Sequence, residues 1–161
     1  MKQDEIEKAK RYALRLLGGR PYTKKELKDK LFKRGYRKRI VDEIEGDLKR
    51  LNLINDEQFA LSYIETRLSR KPKGRRLLTQ ELQRKGINPE IIKKSLDKLL
   101  PKKKEFFLAR RLAGKKIEKC QSLNKVPTKQ RLYFYLRGRG FEEEIIEEVI
   151  EKIGTTDDDD E

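Results

Sequence analysis

Leu31-Phe32-Lys33-Arg34-Gly35-Tyr36, followed by the apolar pair Ile40-Val41, is the stretch that decides the fold. It returns as Leu82-Gln83-Arg84-Lys85-Gly86-Ile87 with Ile91-Ile92, and again as Leu136-Arg137-Gly138-Arg139-Gly140-Phe141 with Ile145-Ile146. A further leucine stands four residues ahead of each first one, at Leu27, Leu78 and Leu132. Leucines four apart lie on one face of a helix. A glycine just past such a face stops the helix by taking a left-handed conformation, and the next apolar residue folds back onto the last turn. Contacts Leu31–Tyr36, Leu82–Ile87 and Leu136–Phe141 are therefore expected. Beyond each stop the apolar residues resume at helical spacing, as in Ile40, Val41, Ile44 and Leu48.

Working outward, another helix is predicted ahead of each glycine-stopped one. The first spans roughly 4–17, the second begins near Asn55, and the third carries Phe106, Ala109, Leu112 and Ala113. Loops are expected at 18–23, 70–74 and 118–128. Thr23 with Glu26 forms a capping box before Leu27, and Asn88-Pro89 is a good N-cap and first-position pair. Nine helices follow, in the order long, short, medium, three times. The fold class is all-α: a tandem array of three three-helix repeats at 1–52, 53–100 and 101–154, elongated and curved, with a disordered acidic tail at 155–161. Isolated units of about 50 residues have marginal cores, so neighbouring repeats should touch.

Composition narrows the function. Charged residues make up 43% of the 161-residue chain and the net charge is +14. The last five residues, Asp157 to Glu161, are all acidic, so setting them aside raises the +14 to +19. Such a field attracts phosphate backbones or acidic protein surfaces. The sequence holds no histidine, the commonest general base and metal ligand. Its one cysteine, Cys120, has no imidazole to activate it, and neither zinc-ligand spacing nor a phosphate-cradling Gly-Lys-Ser/Thr loop occurs. The expectation is a binding protein with no catalytic residues, no metal and no cofactor. A single cysteine and a start of Met1-Lys2-Gln3-Asp4-Glu5 without an apolar leader fit the cytoplasm. No helix face is left over for a dimer, so a monomer is expected.

Basic residues gather at the middle helices and their turns. The candidate partner- or DNA-binding residues are Lys33, Arg34 and Arg37 in the first repeat, and Arg75, Arg76, Arg84 and Lys85 in the second. In the third they are Lys129, Arg131, Tyr135, Arg137 and Arg139. Arginine beside tyrosine is common in protein hot spots and in nucleic-acid surfaces alike. Tyr133 and Tyr135 are two apart on a helix, so one of them should be exposed. The short helix, turn and following helix also resemble a helix-turn-helix. In the third repeat, however, the last helix carries Glu142, Glu143, Glu144, Glu147, Glu148 and Glu151, which phosphate would repel.

In order and spacing, several segments together resemble the RecX family, regulators of the RecA recombinase. They are Tyr12-Ala13-Leu14, Arg20-Pro21-Tyr22-Thr23-Lys24-Lys25-Glu26-Leu27, Lys33-Arg34-Gly35-Tyr36, Ile54-Asn55-Asp56-Glu57-Gln58-Phe59-Ala60, Glu81-Leu82-Gln83-Arg84-Lys85-Gly86-Ile87 and Leu136-Arg137-Gly138-Arg139-Gly140-Phe141. The resemblance implies a tandem three-helix-repeat protein that binds the RecA–DNA filament. It implies inhibition of recombinase, ATPase and co-protease activity, with an auxiliary contact to single- or double-stranded DNA and no membrane. This belongs to DNA repair, recombination and the SOS response. Gly138 stands where the family often has another basic residue. An independent basic DNA-binding protein of tandem helix-turn-helix-like units is the alternative.

Overall fold

The computed structural model describes residues 2–125 and 127–155, and among them nine α-helices and no strand. They are α1 (Lys2–Gly19), α2 (Lys24–Lys33), α3 (Lys38–Arg50), α4 (Asp56–Arg70), α5 (Arg75–Arg84), α6 (Pro89–Leu99), α7 (Lys102–Gln121), α8 (Lys129–Gly138) and α9 (Glu143–Thr155). The long–short–medium order holds three times. The acidic run expected to be a disordered tail lies outside the described residues from 156 onward, and Thr155 still belongs to α9.

All three anticipated stops form. Gly35, Gly86 and Gly140 take φ of +94°, +80° and +87°. The N–H groups of Tyr36, Ile87 and Phe141 each donate to the carbonyl of the leucine five residues back, at 3.2 Å. The glycine N–H groups donate to Phe32, Gln83 and Arg137. These paired bonds satisfy carbonyls that a helix end otherwise leaves open. Two asparagines do the same work. Asn52 (φ +54°) closes α3, and Asn124 (φ +53°) closes α7. The second explains why α7 persists to Gln121, past the expected start of the loop.

The chain divides into two compact units: Met1–Tyr63 with Leu82–Ile92, and Ile64–Glu81 with Lys93–Glu161. The division passes through α4, α5 and α6, so the middle three helices contribute to both. In the first unit α1, α2 and α3 pack on one another around Ala9, Ala13, Leu27, Leu31, Val41, Ile44, Leu48 and Ile54. Each fully buried leucine, isoleucine or valine among them contributes about 1.5–3 kcal/mol. Thr23 is buried and forms the complete capping box with Glu26; its hydroxyl also donates to the Lys85 carbonyl at 2.7 Å. Burial opposes ionisation of Glu26. The ammonium of Lys85 at 2.9 Å, the Thr23 N–H and Arg20 outweigh it and hold the carboxyl below its ordinary range.

In the second unit α7, α8 and α9 enclose Phe106, Ala109, Leu112, Ala113, Leu136, Phe141, Ile145, Ile146 and Val149. The start of α5 is tied to the α8–α9 turn by backbone bonds, Gly74 N–H to the Arg139 carbonyl at 2.9 Å and Arg76 N–H to the Gly140 carbonyl at 3.1 Å. Glu105, 1% exposed, accepts the Arg75 N–H at 2.8 Å. Burial pushes its carboxyl above the ordinary range and Glu142 adds to this, against the pull of Arg75. A raised folded value means stability that is complete below the unfolded value and declines as pH climbs through the folded one. Glu105→Gln keeps an acceptor for the Arg75 N–H but cannot ionise. Its melting temperature relative to the wild type should therefore rise as pH goes from about 4 to 7, starting near the ordinary carboxyl value. A difference that stays constant over that range would contradict the assignment.

Candidate partner and nucleic-acid interface

The helix with the richest set of expected binding residues is α8. Its start is set by Thr128, whose hydroxyl accepts the Arg131 N–H at 3.2 Å, and its end by the Gly140 turn. Leu132 and Leu136 face the core. At about 100° per residue, Phe134 lies about 200° from each of them, on the opposite face. It is 59% exposed. Tyr133 and Tyr135 occupy the two flanks, and both are half-buried against the core. This corrects the expectation that one of the tyrosines would be exposed: the exposed aromatic is the phenylalanine between them. The signal was available in the leucine spacing, since the residue midway between two core positions four apart must point away.

The tyrosines are tethered. The Tyr133 hydroxyl donates to Glu143 at 2.8 Å, which raises its pKa above the ordinary phenol value, chiefly through that bond. Arg137 reaches the same hydroxyl at 3.5 Å. Lys116 lies over the Tyr135 ring, 5.3 Å from its centre. The outward residues Lys129, Arg131 and Arg137 are exposed, and no described carboxylate pairs with them. The helix contains no acidic residue. Lys129 and Arg131 also occupy its first turn, where the helix dipole disfavours cations by about 0.3–1 kcal/mol each. These positions are not optimised for stability.

Arg76 approaches α8 from the start of α5, its guanidinium donating to the Arg137 carbonyl at 2.5 Å. A cleft of about 150 Å3 lies there, lined by Arg76, Tyr133, Arg137, Phe141, Glu143 and Ile146. Other candidates are engaged within the fold. Arg75 binds the Leu100 carbonyl at 3.0 Å and Asp97 at 2.7 Å; this contact, followed by Lys93, lowers the Asp97 pKa. Arg139 is half-buried, donates to the Pro72 carbonyl, and keeps its Nε buried without a partner. In the first unit, Lys33, Arg34 and Arg37 are exposed at the α2–α3 turn, with Arg34 5.2 Å from the Tyr12 ring centre. Arg84 is exposed, whereas Lys85 is half-buried between Glu26 and the rings of Phe59 and Tyr63, 5.6 Å from each.

Among the described residues, no group of three or more His, Cys, Asp or Glu side chains could hold a metal ion, and no helix is long and apolar enough to cross a membrane. Cys120 is half-buried at the end of α7.

Comparison with known proteins places this geometry. Two family models match: the first three-helix domain of RecX over residues 9–44, and the second three-helix domain over residues 55–96. The regulatory protein RecX of Chlorobium limicola is 37% identical over 145 residues, covering 90% of this chain and 89% of its own. That of Pelodictyon phaeoclathratiforme is 35% identical, covering 81% and 79%. The crystal structure of RecX from Lactobacillus salivarius superimposes with a TM-score of 0.84 at 28% identity, covering 95% of this chain and 99% of that one. Near-complete coverage in both directions, with the same helical architecture, makes the chain a member of the RecX family of regulatory proteins.

Proposed function

We propose that this protein regulates the RecA recombinase by binding the RecA–DNA filament and lowering its ATPase, strand-exchange and co-protease activities. The observation that carries the reading is the likeness to regulatory RecX proteins over nearly the whole chain. The surface supports it: exposed cations recur beside the glycine turns of both compact units, on Lys33, Arg34 and Arg37 and on Arg137, and Arg131 adds a further one at the start of α8. A partner that repeats along its length can meet such a surface more than once, and linked contacts reinforce one another. The exposed glutamates of α9 lie beside the basic α8, which suits a protein partner carrying both signs of charge better than bare duplex.

The test is a titration of RecA's DNA-dependent ATP hydrolysis. Substoichiometric amounts of this protein should lower the rate. An unchanged rate at several-fold excess over RecA, together with tight DNA binding that weakens steeply with salt, would replace this reading by that of an independent DNA-binding protein.

A further inference from the structure

The geometry of α8 points to a binding site for single-stranded nucleic acid, in which one base stacks on the exposed ring of Phe134 and adjoining phosphates lie against Arg131 and Arg137. It deepens the DNA contact of the reading above, and rests on that reading for its setting on a filament.

Three features of the helix carry it. The first is the ring itself. Phe134 meets Tyr133 edge-to-face, with centroids 5.6 Å apart and planes at 86°, and Tyr133 is held by Glu143. The ring is buttressed from one side. The second is the space beside it. Helical side chains lean toward the N-terminus, so the residue four positions on normally covers the one before it. Here that residue is Gly138, and nothing lies within 4 Å of where its Cβ would be. The ring is left uncovered. The third is charge. Arg131 and Arg137 stand three residues to either side of Phe134 on the same face, exposed and without a described carboxylate partner. They are about 9 Å apart along the axis at about 1.5 Å per residue, so one cation precedes the ring and one follows it along the helix.

A lone exposed apolar side chain is ordinary. An aromatic with an open ring between two arginines that no described carboxylate pairs, on a helix free of acids, is the arrangement that single-strand binders use: cations follow the backbone and a ring takes a base. Duplex DNA cannot supply the base, because its faces are already stacked. A protein hot spot is the competing use of the same ring, and the chemistry favours the polyanion because both flanking groups are cations.

The experiment measures binding of the full chain to a fluorescein-labelled 20-mer of thymidine by anisotropy. A duplex of equal length and a 20-mer composed of abasic sites throughout serve as comparisons. Phe134→Ala should weaken single-strand binding by about five- to a hundredfold and leave duplex binding nearly unchanged, while Phe134→Tyr restores it. The wild type should bind the abasic strand as weakly as Phe134→Ala binds the intact one, and this comparison needs no variant to fold. Arg131→Gln and Arg137→Gln should each lower the slope of log affinity against log salt by about 0.7. Equal losses on single strand and duplex, indifference to abasic sites, or no wild-type binding to the 20-mer at low salt would overturn the stacking site. Unchanged DNA binding by Phe134→Ala with loss of the effect on RecA ATPase would also overturn it, and would leave the regulator reading standing as a protein contact. The predicted single-strand binding without any effect on RecA would strike the regulator reading alone.

Discussion

Gly74→Ala is expected to destabilise the second compact unit by about 2–4 kcal/mol, because it both overpacks a backbone crossing and disrupts its hydrogen bonds. A Cβ on Gly74 would sit 2.5 Å from the carbonyl carbon of Gly140 and from Cα of Phe141, and closer still to the Gly140 oxygen. All three are backbone atoms, which cannot swing aside as a side chain can. Relieving the clash means separating α5 from the α8–α9 turn, and with that go the bonds from Gly74 to Arg139 and from Arg76 to Gly140. At about 4–8 °C per kcal/mol for a unit of this size, the melting temperature should fall by roughly 10–30 °C. Gly140→Ala belongs to the same class. It combines positive φ with a Cβ placed 2.9 Å from the Leu77 nitrogen and closer to Leu77 Cβ. Gly35→Ala makes the contrast, since its Cβ meets nothing within 4 Å and only the left-handed conformation opposes it, at about 1–2 kcal/mol. Thermal melts of the three variants should place Gly35→Ala well above the other two. Equal losses would show that the crossing has no special weight.

Arg137→Glu is expected to abolish the effect on RecA ATPase with no change in melting temperature beyond about 2 °C, as for exposed substitutions generally. The side chain is exposed, and its one side-chain hydrogen bond among the described residues is a long one to the Tyr133 hydroxyl. Reversing its charge turns attraction to an anionic surface into repulsion. Arg139→Glu, two residues on, should behave differently. Its guanidinium holds the Pro72 carbonyl and its Nε is buried, so a carboxylate there would face a carbonyl oxygen in a half-buried place. That variant should melt lower, and any loss of modulation would follow from lost structure. The pair therefore separates a binding arginine from a structural one within a single turn. Retained modulation by Arg137→Glu, in a titration reaching several-fold excess over RecA, would remove Arg137 from the interface.

Much of the fold was legible because its signals are local. A leucine pair, a glycine and a following apolar residue specify a helix end through bonds between residues at most five apart, and all three ends formed as the spacing implied. The capping box at Thr23 and the Asn88–Pro89 start are equally short-range. The asparagine stops were missed because Asn52 and Asn124 take the left-handed conformation less routinely than glycine does, so the residue type alone is a weaker sign.

The candidate surface was legible in part. Composition marked the arginines and lysines, but charge alone does not say which of them faces solvent. Arg137 and Arg139 look alike in the chain, separated only by Gly138, and one is exposed while the other grips Pro72. Arg34 and Lys85 each precede a glycine stop, and one is exposed while the other lies between Glu26 and two rings. Phe134 carries no charge to mark it, and its exposure follows only from its place midway between the buried Leu132 and Leu136.

By itself the sequence determined the helices, their order, the three glycine-stopped ends and the threefold repeat, since each depends on neighbours within a turn or two. Only the tertiary structure decided what each copy of the turn does. The glycine turn at Gly35 faces open space, that at Gly86 meets the movable side chain of Lys25, and that at Gly140 meets Leu77 and the backbone around Gly74. Identical local geometry carries different weight because the neighbours come from residues about 60 positions away in the chain, and no short-range pattern encodes which atoms will arrive there.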